Sequence, residues 1–98
     1  MMKTITHEFK NKLEEITMLS SKINKNDRRR ILEMMHAHVE EIEQRYNKGD
    51  DHWAIETADL IVLCYELLLM EKKDINDVFD RCLPRFDVKL KRLADHVT

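Results

Sequence analysis

Residues 53–70, WAIETADLIVLCYELLLM, constrain this chain more than any other stretch. Wound as a helix from about His52 to Lys72, the segment spreads Trp53, Ile55, Leu60, Ile61, Val62, Leu63, Tyr65, Leu67, Leu68 and Leu69 over nearly every direction. A helix that is apolar all round has to be covered all round. The chain has only 98 residues, enough for one core, so residues 1–98 are expected to form a single domain. Three further helices hardly enclose such a segment, and a partner subunit is expected to bury the face they leave open. With one Gly and one Pro in the whole chain, the turn formers a many-stranded fold needs are missing, and the expected fold class is all-α.

The remaining helices follow from apolar spacing. Phe9, Leu13, Ile16 and Ile23 recur at helical intervals in a first helix ending near Asn24. Asn26 or Asp27 then offers a side-chain oxygen to the free N–H groups of a second helix, which runs to about Asn47 with Ile31, Met35, Val39, Ile42 and Tyr46 as its core positions. NKGDD interrupts the pattern with the only Gly, suited to a left-handed C-terminal residue, and Asp50 or Asp51 is placed to cap the third helix. Helices 2 and 3 should form an antiparallel hairpin. Asp74, with Asp77 three residues on, resembles a capping box before a fourth helix. Its stripe of Ile75, Phe79, Cys82, Phe86, Leu90, Leu93 and Val97 keeps helical spacing across Pro84. An interior proline costs roughly 3 kcal/mol and one hydrogen bond, so a break at Pro84, giving four to five helices, is favoured over one kinked helix.

Charge and cysteine usage exclude several function classes. Seventeen basic and nineteen acidic residues give a net charge of -2, which argues against a mainly electrostatic nucleic-acid binder. Arg28-Arg29-Arg30 is the one basic cluster and reads as a solvated helix start. Cys64 and Cys82 lack metal-finger or C-x-x-C spacing and read as buried free thiols of a reducing compartment. The N-terminal MMKTITHEFK has no leader-like apolar run, and LIVLCYELLLM (60–70) is too short for a bilayer and carries Glu66. A cytoplasmic protein without membrane association is expected.

A possible chemistry lies on either side of the NKGDD turn. A helix turns about 100° per residue; with Ile31 at zero, His38 falls near -20° and Glu41 near -80°, beside a stripe centred at roughly 35°, whereas Glu40 and Gln44 fall near 180° and 220°, in solvent. On the third helix Glu56 and Asp59 share one face. The hairpin should bring His38, Glu41, Glu56 and Asp59 close together, and clustered carboxylates repel unless something positive lies between them. A divalent cation meets that need; so, more blandly, do a nearby Lys or Arg for Glu41 and the helix dipole for Glu56.

The run from Glu41 to Leu60, E-x-x-x-R-Y-N-K-G-D-D-x-x-x-x-E-T-A-D-L, followed by an apolar helix and DINDVFDRCLPRF, resembles the all-α nucleotide pyrophosphohydrolases, the MazG-like and phosphoribosyl-ATP pyrophosphohydrolase-like proteins. The resemblance spans roughly residues 28–92. It implies a MazG-like bundle of short helices completed by oligomerisation as a homodimer or homotetramer, and hydrolysis of a nucleoside triphosphate or related nucleotide between the α and β phosphates. Mg²⁺ would be held by an EExxE motif on one helix and ExxD on the next. Glu56 and Asp59 match ExxD, and Glu41 matches the last acid of EExxE, but the first two acids fall on Ala37 and His38. With His38 as a ligand, Mn²⁺ or another divalent transition metal becomes an alternative to Mg²⁺, which prefers oxygen.

The resemblance thus implies metal ligands His38, Glu41, Glu56 and Asp59, with Glu41 as the base that takes a proton from the attacking water. Arg81, Arg85 and Lys89, continued by Arg92, make a basic row suited to phosphate contacts, or a merely solvated face. The altered acid pair motivates an alternative: a non-catalytic MazG-like dimer acting as a binding or regulatory module. A carboxylate-bridged bundle site needs E-x-x-H on two helices, and this chain has a single H-x-x-E.

Overall fold

The computed structural model describes residues 7–97; Met1–Thr6, where the leader reading partly falls, and Thr98 lie outside the described residues, as does the side chain of Val97. Four helices follow in order: α1 (His7–Ile23), α2 (Arg28–Asn47), α3 (Trp53–Met70) and α4 (Ile75–Val97). No strand occurs among the described residues. None of the described helices is long and apolar enough to cross a membrane.

The punctuation is local chemistry. Asp27 caps α2, its Oδ1 accepting from the N–H of Arg29 at 3.0 Å and of Arg30 at 3.4 Å. Asp74 does the same for Asn76 and Asp77 at the start of α4. Before α3 the outcome differs from the expected Asp cap. His52 occupies the cap position without a side-chain bond, and Asp50 instead braces the turn, accepting from the N–H of His52 at 2.9 Å and from Arg45 Nη1 at 2.8 Å. These two bonds, the backbone one first, hold the Asp50 carboxyl below its usual range. Helices α1, α2 and α3 each stop in a 6→1 and 5→2 hydrogen-bonded turn around a left-handed residue: Lys25 at φ 56°, Gly49 at 74° and Lys72 at 57°.

Three contacts set the α2–α3 hairpin as antiparallel. Near the turn, the rings of Tyr46 and Trp53 meet edge to face at 5.4 Å; midway, His38 faces Glu56 and Asp59; at the far end, Arg28 reaches Glu71 at 2.9 Å. Helix α3 is the centre, packed by α2 and by α1. The three least exposed of the described residues come one each from α1, α2 and α3: Thr17, Ile31 and Glu66. Full burial of Ile31 contributes roughly 1.5–3 kcal/mol. Thr17 is satisfied by donating to the backbone carbonyls of Leu13 or Glu14. Glu66 is 1% exposed, and neither carboxyl oxygen has a hydrogen-bond partner among the described residues.

Four expectations are revised. The α1 stripe faces outward: Phe9, Ile16 and Ile23 are exposed, while Leu13, Glu14, Thr17, Ser20 and Asn24 form the covered side. On α2 the covered edge turns toward Met34, His38 and Arg45, leaving Val39 and Tyr46 exposed, because α2 packs chiefly on α3. Helix α4 is continuous through Pro84. The carbonyl of Asp80, which Pro84 cannot satisfy, is on an exposed part of the helix, open to solvent. Cys64 and Cys82 are free, as expected, but half-buried.

Helix α4 makes only sparse contact with the others, and Phe79, Leu83, Phe86, Leu90 and Leu93 are all exposed. The radius of gyration is 16.2 Å, against about 13 Å for a closed globule of this length. The accessible surface is 8787 Å², where a compact monomer of this mass exposes about 5,900 Å². Allowing about 175 Å² for each undescribed residue still leaves a surplus of about 1,700 Å².

Candidate metal centre between α2 and α3

The hairpin register decides which side chains meet. His38, on the covered edge of α2, points Nε2 at Glu56 Oε2, 3.6 Å away, and at Asp59 Oδ2, 3.8 Å away, both on α3. One ligand atom from each of the three lies within 4.8 Å of the others. The depths differ: the Glu56 side chain is 10% exposed, that of His38 22% and that of Asp59 53%. Glu56 therefore forms the floor, and Asp59 the mouth.

The second ring nitrogen fixes how His38 is presented. Nδ1 lies 2.8 Å from the carbonyl oxygen of Met34, one turn back in α2. A carbonyl only accepts, so Nδ1 carries a proton and Nε2 is the ring nitrogen turned to the site. This orienting bond to a backbone carbonyl is the arrangement found behind metal-bound histidines. Separations of 3.6–3.8 Å are too long for hydrogen bonds. They are close to the roughly 3.4 Å between two ligands that share one tetrahedral cation at about 2.1 Å. A mixed nitrogen and oxygen donor set of this spacing fits a small divalent cation.

Not all the expected residues gather here. Glu41 is exposed on α2 and is not part of the group. Arg81, Arg85, Lys89 and Arg92 are exposed on α4, and no hydrogen bond or ion pair joins them to His38, Glu56 or Asp59; three of them flank an open groove of about 880 Å³ along the second half of α4. Trp53 packs on Tyr46 and Tyr65 is buried, so both serve the fold. Burial, and after it the neighbouring Glu14 carboxylate, push the Tyr65 hydroxyl above its ordinary range.

One residue at the site was not anticipated. His52 Nε2 lies 3.4 Å from Glu56 Oε1, so the Glu56 carboxylate is bracketed by two imidazoles, one on each oxygen. The sequence signal was the i, i+4 spacing of His52 and Glu56, masked because His52 sits at the helix boundary. In comparisons with family models, with curated proteins and with solved structures, nothing matches this chain.

Proposed function

We propose that this chain is a divalent-metal-dependent nucleotide pyrophosphohydrolase. It would cleave a nucleoside triphosphate or related nucleotide between the α and β phosphates, releasing monophosphate and pyrophosphate. The observation that carries the reading is the convergence of His38 with Glu56 and Asp59 across the α2–α3 hairpin. It occurs in a stretch that resembles the MazG-like proteins, a resemblance that rests on the sequence motifs. His38, Glu56 and Asp59 hold the cation, Mg²⁺, Mn²⁺ or another divalent transition metal. When bound, it neutralises polyphosphate charge and acidifies a water.

Glu41, one turn beyond His38 and open to solvent, takes the proton from the attacking water. Arg81, Arg85 and Lys89 orient phosphates. Since α4 makes only sparse contact with the rest of its own chain, those cations come from another subunit of a MazG-like homodimer or homotetramer. The surplus surface supports such an assembly: obligate interfaces bury roughly 1,000–2,500 Å² per partner.

Purified protein incubated with a nucleoside triphosphate panel and Mg²⁺ or Mn²⁺ should yield monophosphate and pyrophosphate, with Glu56→Gln and Glu41→Gln nearly inactive. Absence of turnover on the whole panel, with wild type and Glu56→Gln alike, refutes the enzyme. A second reading, a non-catalytic binding or regulatory helical dimer, is favoured by the two imidazoles on Glu56, one facing each carboxylate oxygen where no cation is needed to separate them.

A further inference from the structure

We infer that His52 is the positioning residue that makes this site selective for nitrogen-accepting divalent ions, Mn²⁺, Fe²⁺, Co²⁺ or Zn²⁺, over Mg²⁺ and Ca²⁺. The inference deepens the metal-centre reading above and does not depend on the chain being a hydrolase. Three observations carry it. Glu56 is nine-tenths buried, and its two oxygens are divided: Oε1 faces His52 Nε2 at 3.4 Å, Oε2 faces His38 at 3.6 Å. With the His52 ring standing beside Oε1, Glu56 turns one oxygen to the site, so it binds as a single-point ligand. His38 adds one nitrogen, Nε2, held toward the site by the 2.8 Å contact of Nδ1 with the Met34 carbonyl. Asp59, half exposed at the mouth, adds one further oxygen.

The resulting set, one imidazole nitrogen and two single carboxylate oxygens on one side of the ion, leaves the solvent side for water or phosphate oxygens. Ca²⁺ takes six to eight oxygens at longer distance, and Mg²⁺ seeks near-ideal oxygen octahedra; neither gains from the imidazole. Borderline first-row ions do. His52 is half exposed, 49% for its side chain, and stands on the boundary of α3. Changing it therefore loosens Glu56 without emptying the core.

Titration calorimetry on the full chain with Mn²⁺, Mg²⁺, Ca²⁺ and Zn²⁺, each as the chloride, measures selectivity. Electron spin-echo spectroscopy of the Mn²⁺-loaded protein reads the ligand atoms. Mn²⁺ should bind at least tenfold more tightly than Mg²⁺ and show nitrogen-14 modulation. His38→Ala should abolish that modulation. His52→Ala should weaken Mn²⁺ binding about tenfold while keeping the modulation, and His52→Gln, which keeps an N–H group beside Oε1, should restore affinity. Binding of Mn²⁺ no tighter than Mg²⁺, absence of nitrogen modulation in wild type, or unchanged affinity in His52→Ala overturns the inference. Selective Mn²⁺ binding in a protein that hydrolyses no nucleotide leaves this inference standing and removes only the hydrolase reading.

Discussion

His38 Nε2 lies 3.6 Å from Oε2 of Glu56, a carboxylate 10% exposed at the floor of the α2–α3 interface. Removing the imidazole leaves that carboxylate facing Asp59 with one counter-group fewer. His38→Ala should therefore destabilise the metal-free protein by about 1–3 kcal/mol. A cation that binds only the folded chain should stabilise wild type by about 2.7 kcal/mol at a hundred times its Kd, which raises Tm by at least 10 °C in a domain of this size. Thermal melts with and without Mn²⁺ check both effects, and the Mn²⁺ shift should vanish in His38→Ala.

Glu66 poses the opposite problem, a buried carboxyl with no hydrogen-bond partner among the described residues. Replacing buried ionic groups by well-packed apolar residues of similar volume is often neutral or stabilising by about 1–4 kcal/mol. Glu66→Leu should raise the urea midpoint by that measure. Loss of stability would show that the carboxyl has a partner in solution.

Two helix ends form a matched pair. Gly49 and Lys72 hold the same position in their terminating turns, at φ 74° and 57°. Nothing lies within 4 Å of a Cβ placed on Gly49, so Gly49→Ala tests backbone strain alone and should cost about 1 kcal/mol. Lys72→Gly should gain about 0.5–1 kcal/mol by relieving the same strain. Denaturant curves on both variants check the opposite signs.

Tyr65 links stability to alkaline pH. Its pKa in the folded chain is raised above 10.0, first by burial and then by Glu14. A raised pKa means that the folded state favours the neutral phenol. The associated stability is complete below pH 10 and is lost as pH rises through the folded value. In a Tyr46→Phe background, where Tyr65 is the only tyrosine, Glu14→Gln should bring the phenolate absorbance transition back toward 10. No change in the transition would mean that Glu14 does not act on Tyr65.

The exposed stripe of α4 should be an interface with a second copy. Phe86 is 55% exposed and Leu90 57%, so neither supports the fold of a single chain. Phe86→Glu and Leu90→Glu should each shift sedimentation from an oligomer toward the 11.8 kDa monomer while leaving the helical circular dichroism signal in place. A wild-type monomer at tens of micromolar would contradict the assembly.

Much of this architecture is written in short-range chemistry, which neighbouring residues settle among themselves. Asp27 and Asp74 cap their helices, and Gly49 ends α2 in the left-handed region, because a cap or turn involves only a few consecutive residues. The 100° step likewise separates His38, at the covered edge, from the exposed Glu40 and Gln44. Periodicity also identified α1, α2 and α3 to within a residue or two.

What periodicity could not supply is the direction in which each helix turns its face, since that depends on neighbours distant in sequence. Phe9, Ile16 and Ile23 of α1 turn outward, α4 runs unbroken through Pro84 with its stripe exposed, and Glu66 ends in the centre. The site follows the same division. Glu56 and Asp59 share a face by helix geometry alone. Only the antiparallel register of α2 on α3 brings His38 to them and leaves Glu41 in solvent, whereas His52 meets the far oxygen of Glu56 through local i, i+4 spacing. A shift of one residue along a helix turns a side chain by about 100°, so ligand convergence is a property of packing.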